Sequence, residues 1–212
     1  METKNVMTNV IVTSVVGIFV FCGCSAQKPQ VTGFLSDYSA LKAQSDTSYR
    51  YIAPGNKLGN YSKFIIDPVV VHFYTGSKAQ AEKAEGKLSE KDLSDIKNYM
   101  HEALVKAIQD RYQVVNSPGP GVARMKVAIT DLKQSGIVQN AIPIGKLVGT
   151  GLGGASLEAE LVDSQTHQQL GAIVESQLGE RLSLDGYSTW GDAKGVMDRW
   201  AKRFRARLDE AH

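Results

Sequence analysis

The sequence predicts an α+β domain in which a mostly antiparallel sheet carries two long helices on one face, a two-layer sandwich. Three observations predict it. Apolar residues recur at helical spacing in one mid-chain and one C-terminal stretch. Three segments between them alternate apolar and polar residues at strand spacing. No helical pattern separates those last strands, which disfavours a doubly wound fold. No internal repeat is visible.

The first strand is expected over Lys63–Tyr74, with Val69, Val71 and Phe73 on one face. Asp67-Pro68 breaks its phase, and proline cannot donate a ladder hydrogen bond, so that end belongs at a sheet edge or bulge. The charged stretch Gly76–Glu90 reads as an exposed connection with room for a helical turn. Ser89 with Asp92 three residues on signals a helix start, and Leu93, Ile96, Met100, Leu104 and Ile108 continue it to about Arg111. A short strand at Gln113–Val115 follows, stopped by the Pro118-Gly119-Pro120-Gly121 turn signal. Met125, Val127 and Ile129 then alternate with Lys126, Ala128 and Thr130 as a half-buried strand. Leu157, Ala159 and Leu161 point inward against outward Ser156, Glu158 and Glu160. Leu170, Ala172 and Val174 continue that pattern beyond a polar turn, which predicts an antiparallel hairpin. Trp190, Ala193, Met197, Trp200, Phe204 and Leu208 mark the C-terminal helix, with Ser188 or Thr189 as its cap.

At the N-terminus, Lys4 precedes the apolar run Val10–Phe21, which ends at Cys22-Gly23-Cys24-Ser25. The run falls short of the roughly 20 apolar residues that span a bilayer and suits the core of a signal peptide. It resembles the signal peptide and lipobox of bacterial lipoproteins, although Phe21 stands where that pattern more often has leucine. The resemblance implies cleavage after Gly23 and a lipidated Cys24. A diacylglycerol plus an N-acyl chain such as palmitate buries several tens of methylenes at about 0.8 kcal/mol each, which makes the anchor effectively permanent. Ser25, which is not aspartate, implies transfer to the outer membrane, with the domain on its periplasmic face. The organisation expected is therefore a cleaved signal peptide over 1–23, a lipidated tether over 24–32 and a single domain over 33–212. Within it, Gly33–Tyr61 reads as an irregular arm, partly in short strands, whose aromatic rings lie on the domain.

Cys22 leaves with the signal peptide and Cys24 carries lipid, so no thiol is left for a disulfide, a metal or a nucleophile. A net charge of +2 suggests no nucleic-acid partner. His72, His101, His167 and His212 lack ligand spacing, and no cofactor is expected. Gly149, Gly151 and Gly154 match the letters of a dinucleotide fingerprint but lead into a strand where that motif needs a helix, so its phosphate site cannot form.

The segment Gly136–Gly154 holds Ile137, Val138, Ile142, Ile144, Leu147 and Val148 with one charge, Lys146. It is too broken for a regular element and too apolar for a solvated loop, so either its own domain covers it or it is the candidate contact with a protein partner or with the bilayer. Glu158 and Glu160 lie on one strand face roughly 7 Å apart, a spacing loosely compatible with acid–base work, although a solvated face is the expected role. The basic residues Lys194, Arg199, Lys202, Arg203, Arg205 and Arg207 could serve anionic lipid headgroups or an acidic partner, but they are interspersed with acids, as on a solvated helix face.

Gly33-Phe34-Leu35-Ser36-Asp37-Tyr38, the Tyr61–Val71 block with Ile66-Asp67-Pro68-Val69, and Glu160-Leu161-Val162-Asp163-Ser164-Gln165-Thr166 form a set. Together they resemble the bacterial lipoproteins grouped as domain of unknown function 3313, over nearly all the mature chain. The resemblance implies the address and the fold and transfers no catalytic residue. The function expected is a non-enzymatic, membrane-anchored binding or accessory module for an envelope protein or assembly. The alternatives are a hydrolase using the carboxylate face and an oligomeric pore or scaffold component. The sequence leaves the oligomeric state open.

Overall fold

The computed structural model describes residues 28–55, 57–137, 151–180 and 184–212. The signal segment, Gly23, Cys24, Ser25, and Val138, Ile142, Ile144, Leu147 and Val148 lie outside the described residues; Ile137 lies within them and is exposed. Among the described residues no helix is long and apolar enough to cross a membrane.

Among the described residues eight strands form one open sheet: β1 (Lys42–Ser45), β2 (Ser48–Ile52), β3 (Lys63–Ile66), β4 (Val70–Val71), β5 (Gln113–Val114), β6 (Val122–Lys133), β7 (Gly154–Asp163) and β8 (Gln169–Leu178). Their order is β1-β2-β8-β7-β6-β3-β5, with β4 also on β6. The sheet is mixed, so the expected antiparallel dominance is matched only in part: the long ladders are antiparallel and the parallel ones are short. β1, β2, β8, β7 and β6 pair antiparallel, whereas β3 and β4 run parallel to β6, and β5 runs parallel to β3. The helices between β4 and β5 carry the chain back over the sheet, and such a crossover permits parallel pairing.

The expected strand over 63–74 is split in two. The Asp67 amide still bonds the Met125 carbonyl at 3.0 Å, Pro68 has no amide to offer, and pairing resumes only at Val70. β3 has neighbours on both sides, while β4 pairs with β6 alone among the described strands. The edge expected at the proline therefore lies beyond it.

Among the described residues three α-helices cover one face: α1 (Lys78–Ala84), α2 (Glu90–Ile108) and α3 (Gly191–Ala211). α1 stands where the sequence suggested an exposed connection with room for a helical turn. Ser77 caps it, and Ala79, fully buried, seats it on the core. α2 starts at a reciprocal capping box between Ser89 and Asp92, worth about 1 kcal/mol. Its buried stripe is the one expected, Leu93, Ile96, Met100, Leu104 and Ile108. α3 begins after Trp190, and neither Ser188 nor Thr189 caps it. A tight turn replaces the cap: a Cβ on Gly191 would sit 1.5 Å from the Asp185 carbonyl oxygen, so only glycine fits.

Contacts between α2 and α3 progress in the same sense. Trp190 Nε1 donates to Asp92, Tyr99 Oη to Asp198 and Tyr112 Oη to Asp209. The two long helices are therefore parallel to each other. Ala193, Val196, Met197, Trp200 and Leu208 of α3 complete a continuous core with α2 and the inner faces of β3, β6 and β7.

Candidate functional site

The opposite face of the sheet contains the feature that sequence reading misplaced. Strand geometry puts Ser156, Glu158 and Glu160 on that face, as expected, yet none is solvated: Glu158 is 0% and Glu160 2% exposed. The N-terminal arm covers the two carboxylates. Each glutamate has one alanine opposite it, Ala128 of β6 beside Glu158 and Ala172 of β8 beside Glu160, with Val174 and Lys126 on their other sides.

Glu158 Oε1 accepts the Thr32 amide at 2.5 Å, and its Oε2 accepts the Phe34 amide at 3.3 Å and the Tyr38 hydroxyl at 2.5 Å. The Tyr38 oxygen in turn accepts the Leu35 amide at 3.0 Å. Glu160 Oε2 accepts the Ser36 amide at 2.9 Å, the Ser36 hydroxyl at 2.6 Å and Gln169 Nε2 at 3.1 Å, while Lys126 Nζ donates to its Oε1 at 3.1 Å. Two carboxylates thus satisfy amides and hydroxyls of a segment that has no sheet partner over 32–36. Leu35 then buries itself on Ala172 and Val174, ringed by Phe34, Tyr38, Leu41, Tyr49 and Tyr51, which contributes about 2 kcal/mol. The rings do lie on the domain, and β1 and β2 are the arm's short strands.

Burial pushes the Tyr38 phenol up to about 12, and its hydrogen bond to Glu158 adds to the rise. Burial also works to raise Glu160, but hydrogen bonds from Ser36, Gln169 and Lys126 outweigh it and hold the carboxyl below its ordinary 4.5. The unfolded chain then binds the proton more readily than the folded one, so stability rises with pH across this window. The contribution is complete above about 4.5 and is lost as the pH falls through the lower folded value. Amide protection of the arm is accordingly expected to decline as the pH falls below about 4.5. Glu160→Gln should flatten that decline; an unchanged acid limb in the variant rules out Glu160 as its source.

An acid–base role for the pair requires a carboxylate open to substrate, and both are closed by the arm. Four of the six basic residues singled out on α3 are engaged as well. Arg199 bonds Glu180 and the Leu178 carbonyl, Arg203 grips buried Glu175 at 2.7 and 3.0 Å, Arg205 bridges Asp110 and Asp209, and Lys194 lies over the Tyr99 ring. Gly153 and Gly154 act by close approach. A Cβ on Gly154 would lie 2.4 Å from the Gln177 carbonyl oxygen, and β7 starts there, so the glycine run opens a strand.

The base of the Gly136–Gly154 segment is pinned. The Gly136 amide bonds the Gly151 carbonyl at 2.8 Å, Ser135 bonds Thr189, and the Gly153 amide donates to buried Asp192 at the start of α3. The sequence did not identify Ser36, Tyr38, Lys126 and Gln169 as ligands of the carboxylates. The available signal was the pair of glutamates in a strand whose neighbours carry alanine opposite them.

A family model described as a protein of unknown function, DUF3313, matches residues 30–204. The uncharacterized lipoprotein YdcL of Escherichia coli K12 is 24% identical over 212 residues, covering 90% of this chain and 91% of the relative; its counterpart in strain O157:H7 matches equally. Two structures of the PelC dodecamer from Paraburkholderia phytofirmans align with TM-scores of 0.42 and 0.43 at 12% and 11% identity. They cover 76% of this chain and 95% and 96% of theirs.

Proposed function

Because the chain belongs to the DUF3313 family, whose model matches its residues 30–204, we propose that it is a lipid-anchored accessory module of the bacterial envelope, non-enzymatic and held at the periplasmic face of the outer membrane. The observation that carries this reading is the clasp of the N-terminal arm. The arm is the segment through which a lipid on Cys24 pulls, and it is fastened to the centre of the sheet by Glu158 and Glu160. From Cys24 to Thr32 an extended chain reaches at most about 29 Å. The clasp therefore holds the folded domain close to the bilayer, with the arm as part of the domain and only a short tether free. The likeness to a relative named a lipoprotein supports the anchor.

The partner contact proposed is the apolar segment bearing Ile137, Val138, Ile142, Ile144, Leu147 and Val148, whose pinned base fixes where it leaves the sheet. The test has two parts. Cells fed labelled palmitate should label the wild-type chain and not Cys24→Ser, and the label should sediment with outer membranes; labelled Cys24→Ser or a soluble wild type ends the anchor reading. Photo-crosslinking from positions 142 and 147 should give one dominant protein adduct. A folded variant with Ile142→Ser and Leu147→Ser that captures the same partner equally well ends the assignment of the contact.

A further inference from the structure

The helix-side core is incompletely filled. Between the sheet and the helices lies a cavity of about 170 Å³. Leu104 of α2, Val127 of β6, Leu157 of β7, Ile173 of β8, and Trp200 and Phe204 of α3 supply its apolar wall. The most exposed lining residues are Ile52, 46% exposed, and Arg203 and Arg207, with Arg50 half-buried beside them, which places the mouth between β2 and α3. The cause is topological: α3 stands over β7 and β8 and stops short of β2. Ser48, Arg50 and Ile52 alternate with Tyr49 and Tyr51, which belong to the arm side, so the first three face the opening.

The mouth is cationic. Arg50 donates to Gln44 Oε1 at 2.9 Å, and among the described residues no carboxylate pairs with it. Arg207 pairs with Glu210 on an exposed turn of helix, a contact worth little in water and easily exchanged. Arg203 is committed to Glu175. Glu160 contributes only backbone to the lining, because its carboxylate is engaged on the other face of the sheet. An apolar interior with a few convergent polar groups at the rim is the ordinary form of a small-molecule site.

We propose that this cavity binds the alkyl chain of a single-chain amphiphilic anion, with the head group held at the mouth by Arg50 and Arg207. A cavity of roughly 150 Å³ holds benzene, so about six to eight carbons fit inside. Longer chains would extend out past Ile52. The inference is independent of the anchor and of the protein partner proposed above.

The test uses the full lipidated chain in amphipol and 8-bromooctanoate, a probe short enough to stay monomeric and able to quench tryptophan on contact. The chain has two tryptophans, and Trp200 lines the cavity. In a Trp190→Phe background the probe should quench Trp200 saturably. Arg50→Gln should weaken it by about tenfold, the scale of a lost charged hydrogen bond. The cationic probe 8-bromooctyltrimethylammonium should be weaker by a similar factor. Ala159→Phe, which fills the cavity, should abolish quenching while thermal unfolding confirms a folded chain; Ile173→Phe serves if that variant does not fold. Competition by octanoate and by octyl phosphate tells a carboxylate head from a phosphate head. Quenching that is linear, indifferent to head-group charge, or retained when the cavity is filled overturns the proposal.

Discussion

Replacing Glu158 by alanine is expected to detach the N-terminal arm and to lower stability by about 3 kcal/mol. The substitution removes the acceptor for the Thr32 and Phe34 amides and the Tyr38 hydroxyl together. Left in place, those donors would be buried without partners, each at about 1–3 kcal/mol. The arm has a cheaper alternative, which is to leave the sheet and let water satisfy them. The loss should therefore be local. Hydrogen exchange at Thr32, Phe34 and Ser36 should accelerate strongly, while amides of β6 and α2 keep their protection until global unfolding. The same variant should become sensitive to proteases within residues 28–41. Unchanged exchange at Thr32 and Phe34 would mean that apolar contacts around Leu35 alone hold the arm. For the proposed function the consequence is mechanical: a detached arm lengthens the tether and frees the domain from the membrane face.

Phe64→Ala should cost about 3–5 kcal/mol and, unlike the arm variant, should destabilise the whole domain. Phe64 is 0% exposed on β3 and meets Tyr112 and Phe204 edge to face, with ring centroids 5.5 and 6.1 Å away. It joins the sheet to the end of α2 and to α3, so the void left by truncation opens where three elements converge. Each aromatic pair contributes about 0.5–1.5 kcal/mol beyond burial. Urea unfolding should show a lower midpoint with an unchanged slope, the sign of a stability loss without a new denatured state. A midpoint within the error of wild type would show that the neighbouring rings collapse into the space.

The contrast between these two positions also explains which parts of the molecule were legible beforehand. Helical periodicity located α2 and its stripe because those residues meet their partners through a local pattern, and Ser89 with Asp92 marked its start to the residue. Alternation located the β7–β8 hairpin for the same reason, since a short polar turn leaves two strands little choice but to pair. Strand direction was not local. Whether β3 runs with or against β6 depends on where α1 and α2 return the chain, and no residue within β3 encodes that. The carboxylates show the same limit. Their alternation stated correctly that Glu158 and Glu160 share the face opposite Leu157 and Leu161, but alternation is silent on what lies over that face.

By itself, the sequence determined the α+β class, the two amphipathic helices, the hairpin, the family to which residues 30–204 belong, and the lipobox-like start from which the anchor is proposed. Only the tertiary structure decided that the sheet is mixed, that α2 and α3 are parallel, that the arm occupies the carboxylate face, and that an apolar cavity opens beside β2. The physical reason is the range of the interactions. Periodicity, capping and turn chemistry act over a few residues and leave a mark within them, whereas Thr32 reaches Glu158 across 126 positions and is selected by the space and the unpaired oxygen at the far end.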